Sequence, residues 1–172
     1  MLFRSSPLGA GYMVALGSLA WTIAVLSVAS LSEEWPPRLI VMGPSAMGVG
    51  LAGVGVLMAR GPVAALILPI GLIGAGIGAA WAFVLQRVMS GAKDGEENIA
   101  AVSAATVQQA GFALGAAIAG LVANASGLDN GLDPESVLRA SLWVPLALVA
   151  APLAACAIGV RLNLMEIGRA HV

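Results

Sequence analysis

The feature that most constrains this chain is a series of five long apolar stretches separated by polar connections. The stretches cover residues 8–31, 39–59, 63–89, 99–123 and 140–160. A helix needs about 20 mostly apolar residues to cross the hydrocarbon core of a bilayer, and each stretch meets that length. The sequence therefore predicts an all-α fold, a polytopic transmembrane helix bundle of about five spans embedded in the lipid bilayer.

The composition of the whole chain favours the same environment. Hydrophobic residues make up 59% of its 172 residues and charged residues only 10%, and the mean hydropathy is +0.95. Soluble domains carry roughly 25% charged residues, so a soluble core of this size could not bury so much apolar surface. The net charge is −1 and no basic cluster is present, so we expect no nucleic-acid partner.

The chain is poor in the residues that catalysis and metal binding need. Its one histidine, His171, stands next to the last residue, and its one cysteine, Cys156, lies in an apolar run. No nucleophile elbow, phosphate-binding loop or zinc-protease motif is present. We therefore expect a protein that is not an enzyme, with no metal site and no cofactor.

The charges give a preferred orientation. Cytoplasmic loops of membrane proteins carry an excess of Lys and Arg. The side that contains the connection at 33–38 has four basic residues and the other side has three. The loops at 33–38 and 90–98 are therefore predicted to be cytoplasmic. Every Asp and Glu falls in a loop or in the tail. Proton relays normally use an ionisable group inside the membrane, so proton coupling would need carboxylates from polypeptide that this chain lacks.

Two of the predicted spans carry glycines at a spacing that allows close helix packing. Gly74 and Gly78 lie on one stripe of the third span, and Gly111 and Gly115 lie on one stripe of the fourth. Asn98, which follows two glutamates, is the predicted N-cap of the fourth span. These four glycines are the predicted helix-packing residues.

Four side chains are candidates for a solute cavity: Trp81, Gln86, Gln108 and Gln109. Trp81 lies too deep in its span for the aromatic belt at the membrane surface, and the glutamines are amides within or beside apolar stretches. Two interpretations stay open. The glutamines either form hydrogen bonds between packed helices, or they line the path of a solute together with Trp81.

The order of these features resembles a known family. The segment SPLGAGYMVALGSLAWTIA, the glycine-spaced GLIGAGIGAAWAFV and the later GEENIAAVSAATVQQAGFALGAAIAG resemble the C-terminal part of major facilitator superfamily transporters. The narrower resemblance is to the multidrug and drug/proton antiporter branch with fourteen helices. It covers residues 6 to about 162, although the connection SEEWPPR lacks the family's Gly-and-Arg-rich signature.

The resemblance implies a function and a missing partner. Halves of the family's core fold have six helices, and five are predicted here, so residues 1–165 are expected to be part of a C-terminal transmembrane domain whose partner is a missing N-terminal half. The expected function is efflux-type transport of small organic or amphipathic solutes across the cytoplasmic (inner) membrane. The tail EIGRAHV, residues 166–172, has no family counterpart and is predicted to be non-native.

The sequence is also compatible with two other functions. A self-contained five-span membrane protein could use the glycine faces as an assembly or interaction subunit. A channel is a third hypothesis, but no ring of charges and no filter-like loop favours it.

Overall fold

The computed structural model describes residues 7–29, 35–93, 95–131 and 133–170. Within these ranges all regular secondary structure is helical. Six α-helices follow one another along the chain: α1 Pro7–Val28, α2 Pro36–Arg60, α3 Ile67–Ser90, α4 Glu97–Ala125, α5 Pro134–Leu148 and α6 Ala150–Ala170. Short 3-10 turns at Val63–Leu66 and Leu128–Asn130 precede α3 and α5.

The prediction of five membrane-length helical segments is confirmed for the described residues. By length and composition the candidate spans are Leu8–Val28, Pro37–Ala59, Val63–Ser90, Glu97–Ala125 and Pro134–Met165. The fifth begins six residues before the predicted start at 140, because Asp133 caps a polar first turn that hydropathy does not detect. Asp133 Oδ1 accepts hydrogen bonds from the backbone N–H groups of Glu135 and Ser136, both at 2.8 Å.

The fifth span is also interrupted, since α5 ends at Leu148 and α6 begins at Ala150. Pro152 has no N–H to donate to the carbonyl of Leu148, and its ring disfavours a regular helical turn before it. The chain tightens here, and the Val149 N–H donates to the carbonyl of Leu146 at 3.2 Å, three residues back. The break between α5 and α6 is therefore attributed to Pro152.

The predicted N-cap of the fourth span, Asn98, is wrong. Helix α4 begins at Glu97, and Glu96 occupies the N-cap position without a side-chain capping bond. Gly95 has φ +85, a left-handed conformation that glycine adopts without strain, and its N–H donates to Glu97 Oε1 at 3.3 Å. The turn at Gly95 therefore starts the helix two residues earlier than the sequence pattern indicated.

Helix α3 lies between α1 and α2 and packs against both of them through its backbone. On one face, Gly74 is set directly against the carbonyl oxygen of Gly17 in α1. On another face, Gly76 meets the carbonyl oxygen of Gly43 in α2. Two residues correspond to about 200° around a helix, so these contacts lie on nearly opposite sides of α3.

The other side of α2 is covered by α5 and α6. A Cβ at Gly55 would lie 3.0 Å from the carbonyl oxygen of Leu142 in α5, and one at Gly159 in α6 would lie 3.1 Å from the carbonyl oxygen of Ile40. The side-chain amide of Asn163 donates to the carbonyl of Pro37 at 2.7 Å and joins the second half of α6 to the start of α2. Helices α1, α2, α3, α5 and α6 therefore share close contacts.

Helix α4 packs less closely than the other helices. It contacts α5 and, less extensively, α3, and none of its described residues is buried. Its position opens a groove against α1 and α3.

Candidate functional site

The groove has a volume of about 650 Å³ and is lined by side chains of α1, α3 and α4. The twelve lining residues are almost all apolar and none carries a charge: Met13, Val14, Gly17, Ser18, Trp21, Ile70, Ile73, Gly74, Ile77, Trp81, Gln108 and Phe112. Val14 and Phe112 are 73% and 64% exposed, so the groove is open along one side. A cavity of this size falls within the range of small-molecule sites.

Glycines at the α1–α3 contact give the groove its floor. Gly74 lets the backbone of α1 approach closely at Gly17. One turn later a Cβ at Gly78 would lie 2.5 Å from the carbonyl oxygen and 2.7 Å from Cδ1 of Trp21. Any side chain at position 78 would therefore collide with the Trp21 indole, and the missing Cβ leaves this ring its place beside the groove.

Two tryptophans and one amide set the chemistry of the groove. Trp21 and Trp81 present large flat apolar rings with one N–H donor each. Ser18 already donates its hydroxyl to the carbonyl of Val14 at 3.1 Å. Gln108 has no hydrogen bond to another described residue, so its amide can both donate to and accept from a bound molecule. The arrangement supports binding by stacking and hydrogen bonding, with no acid or base in the lining.

The structure brings two of the four predicted cavity residues together. Trp81 of α3 and Gln108 of α4 line the same groove. Gln86 lies outside the lining and is exposed near the end of α3, five residues or about 140° around the helix from Trp81. Gln109 follows Gln108 by 100° and is exposed on another face of α4. The role of each residue toward a solute stays a prediction.

The sequence-based candidates did not include the α1 side of the groove. Trp21, Ser18 and Met13 line it. Their place depends on the pairing of Gly17 with Gly74, which joins α1 to α3 across about 57 residues of sequence. Small residues at matching depths in two spans are the one sequence signal for such a pairing.

The two predicted glycine pairs are in different surroundings. Gly74 and Gly78 are buried against α1. Around Gly111 and Gly115 no described atom lies within 4 Å of an added Cβ, apart from chain neighbours and the backbone of α4 itself. A helix-packing role for the second pair stays a prediction.

Metal-ligating residues do not cluster in the part of the chain that the structure describes. No group of three His, Cys, Asp or Glu side chains is close enough there to hold an ion. His171 lies outside the described residues. Cys156 contacts the Ser45 hydroxyl at 3.4 Å, where α6 meets α2.

Comparison with known proteins adds a direct likeness. Two Mycobacterium tuberculosis proteins, one from strain H37Rv and one from strain CDC 1551, are each named a "probable multidrug-efflux transporter". Each is 34% identical to this chain, and the match covers 69% of this chain. The chain is similar to multidrug-efflux transporters. It spans about a quarter (26%) of the length of these relatives.

Two further comparisons found no match. No protein-family model matches the chain, and no solved structure matches it. The five apolar membrane-length helices, together with the likeness to transporters, identify a multi-pass membrane protein.

Proposed function

We propose that this chain forms part of an efflux-type secondary transporter of the major facilitator superfamily, in the drug/proton antiporter branch, located in the cytoplasmic membrane. In this proposal the groove between α1, α3 and α4 is part of the wall of the solute path. The observation that carries the proposal is the joint placement of Trp81 and Gln108, from two different helices, in one uncharged groove of about 650 Å³. The likeness to multidrug-efflux transporters supports it.

The lining defines the kind of solute that the groove suits. Ile73, Ile77 and Phe112 offer apolar surface, and the indoles of Trp21 and Trp81 offer stacking surface. One amide and no charge limit the polar recognition to hydrogen bonds. A small organic or amphipathic molecule fits these walls, because its apolar part leaves water without an ion having to be desolvated.

A missing N-terminal half is the proposed partner, and the outward face of α4 supports this. Between residues 103 and 120, every side chain within a 120° sector centred on Thr106 is small or polar and exposed. These residues are Ser103, Thr106, Gln109, Ala110, Ala113, Ala117 and Gly120. Small residues with an occasional amide are typical of faces that pack against another helix in a membrane.

The hydrogen bonding of Gln109 also favours a partner helix at this face of α4. It lies two residues, about 3 Å along the axis, from the middle of α4, and it has no hydrogen bond to another described residue. An unpaired amide facing lipid at this depth costs on the order of several kcal/mol. A polar partner on an adjoining helix of the transporter would remove that cost.

Proton coupling in this proposal depends on groups outside the groove, since none of its lining residues is ionisable. The carboxylates that move protons would come from the remainder of the transporter. The chain by itself is therefore proposed to bind solute and not to carry out coupled transport.

Binding to the purified chain in lipid nanodiscs tests the proposal. The saturable fluorescence increase of the amphipathic dye Hoechst 33342 gives the dissociation constant. Trp81→Ala should weaken binding by about fivefold or more through loss of stacking area, and Gln108→Ala by about threefold through loss of one hydrogen bond. Gln86→Ala, on the same helix as Trp81 but outside the groove, is the matched control and should leave binding unchanged.

Equal weakening by all three variants, or binding that no variant alters, would contradict a solute site in the groove. The second result would favour the other candidate function, a self-contained five-span assembly or interaction subunit, which the exposed face of α4 also suits. In that case Gln109→Leu should abolish association with the partner subunit without any effect on dye.

A further inference from the structure

A second cavity, of about 510 Å³, lies between the end of α4 and residues 139–147 of α5, away from the solute groove. One wall is formed by Val122 and Ala125 of α4 with Ser126, which directly follows that helix, and the other by Arg139, Trp143 and Leu146 of α5. Ser126 is buried, and its hydroxyl is already bonded to the carbonyl of Val122 at 2.7 Å. The donor of this hydroxyl is therefore used, and Arg139 supplies the one charged group of the lining.

The cavity changes from charged to apolar along the direction in which α5 enters the membrane. Arg139 lies five residues after Pro134, the first residue of the span, or about 7.5 Å along the helix axis. Trp143 follows one turn deeper, and Leu146 lies about 10 Å beyond Arg139. Arginine and tryptophan at these depths are typical of the boundary between lipid headgroups and acyl chains. The change from a charged to an apolar lining suits an amphiphile whose headgroup lies at Arg139.

The charges around Arg139 restrict the kind of headgroup. Its Nη1 lies 3.3 Å from Glu135 Oε1, and both side chains are more than half exposed. Asp133 lies at the start of the same helix. A purely anionic headgroup would meet two carboxylates beside the one guanidinium, and a purely cationic headgroup would meet the guanidinium itself. A zwitterion with a negative and a positive group side by side is the complementary partner.

We propose that this cavity binds a zwitterionic aminophospholipid. Arg139 donates hydrogen bonds to the phosphate, Glu135 accepts from the primary ammonium, and an acyl chain lies along Trp143 and Leu146. A primary ammonium has N–H donors for the Glu135 carboxylate, whereas a trimethylated ammonium has none. The proposal accordingly assigns a preference for ethanolamine over choline headgroups of the same charge.

Native mass spectrometry of the full chain, released from detergent with defined lipids, tests this assignment. Phosphatidylethanolamine, phosphatidylcholine and phosphatidylglycerol of identical acyl composition are compared at equal concentration. The ethanolamine lipid should be retained about fivefold more than the choline lipid, the effect of one exposed charge-assisted contact. Glu135→Gln should remove the ethanolamine preference, and Arg139→Gln should lower the retention of all three lipids.

Arg161→Gln provides the matched control, because it removes an exposed arginine of α6 that is not in this cavity. It should leave both the retention and the preference unchanged. Helix content from circular dichroism shows whether each variant is folded. Equal retention of the three lipids by the unaltered chain, a preference for phosphatidylglycerol, or an Arg161→Gln effect as large as that of Arg139→Gln would overturn the proposal.

Discussion

Helices α3 and α4 carry the same Gly-x-x-x-Gly spacing, and the structure uses it in opposite ways. Gly74 and Gly78 are buried in α3, where backbone atoms of α1 occupy the space that a side chain would need. Gly111 and Gly115 lie in α4, where no described atom lies within 4 Å of an added Cβ beyond their own helix and chain neighbours. The spacing therefore marks a face that permits close approach, and the neighbouring helix decides whether the approach takes place.

The difference predicts that the same substitution has unequal effects in the two helices. Gly74→Val would place its side chain against the carbonyl oxygen of Gly17 and 3.2 Å from the Trp21 backbone nitrogen. Backbone atoms cannot move aside as a flexible side chain can, so the free energy of unfolding in bicelles should fall by about 3 kcal/mol. Gly111→Val is the matched control and should change it by about 0.5 kcal/mol or less. Equal losses at both positions would show that the two glycine faces are packed alike.

A smaller loss of unfolding free energy is expected when a polar contact between packed helices is removed, and no loss when an exposed amide of α4 is removed. Asn163→Ala removes the 2.7 Å hydrogen bond to the Pro37 carbonyl that joins α6 to α2. The free energy of unfolding should fall by about 1 kcal/mol, the typical value for one intramolecular hydrogen bond. Asn124→Ala, at an exposed position of α4, should leave it unchanged in the same assay. A larger loss for Asn124→Ala would show that α4 is held more firmly than the structure indicates.

The smallest expected effect concerns the start of α5, where the connection from α4 ends. Hydrogen bonds from the backbone of Ser136, and further from its side chain and from the backbone of Glu135, hold the pKa of Asp133 below its ordinary value of 3.8. A carboxyl with a lowered folded pKa stabilises the fold above pH 3.8, and this contribution is lost as the pH falls through the folded value.

Hydrogen exchange measures that prediction at the two capped amides. Protection of the Glu135 and Ser136 N–H groups, corrected for the intrinsic pH dependence of exchange, should be constant from pH 7 to about pH 5 and decrease below pH 3.8. Asp133→Asn should weaken the pH dependence. Protection that decreased already between pH 7 and pH 5 would point to a different titrating group.

Most of the helical architecture could be predicted from the sequence, because a span needs only length and hydropathy. Hydropathy alone misses the start of the fifth span, since its first turn is stabilised by the Asp133 cap instead of by apolar residues. The break at Val149 depends on one missing N–H at Pro152. Local chemistry of this kind shifts the ends of helices without changing the number of spans.

The candidate site was predictable only in part. Depth and spacing pointed to Trp81 and Gln108, and both line the groove. Gln86 and Gln109 have the same side chain as Gln108, but helix rotation directs them elsewhere. Trp21 belongs to the groove because the α1 backbone lies against α3. A contact between distant segments of this kind is not encoded in the periodicity of either helix.

The proposed function requires a solute to enter the groove beside Trp81. Its most direct test compares chains with a single tryptophan, either Trp81 or Trp35, the other tryptophans being replaced by phenylalanine. Trp35 stands at the start of α2, outside the groove. Titration with Hoechst 33342 in nanodiscs should quench Trp81 emission until the site is saturated. A non-fluorescent solute that competes for the same site should restore the emission. Trp35 emission should change only in proportion to the dye dissolved in the lipid. Saturable quenching that is equal at both tryptophans, or absent at Trp81, would contradict the claim.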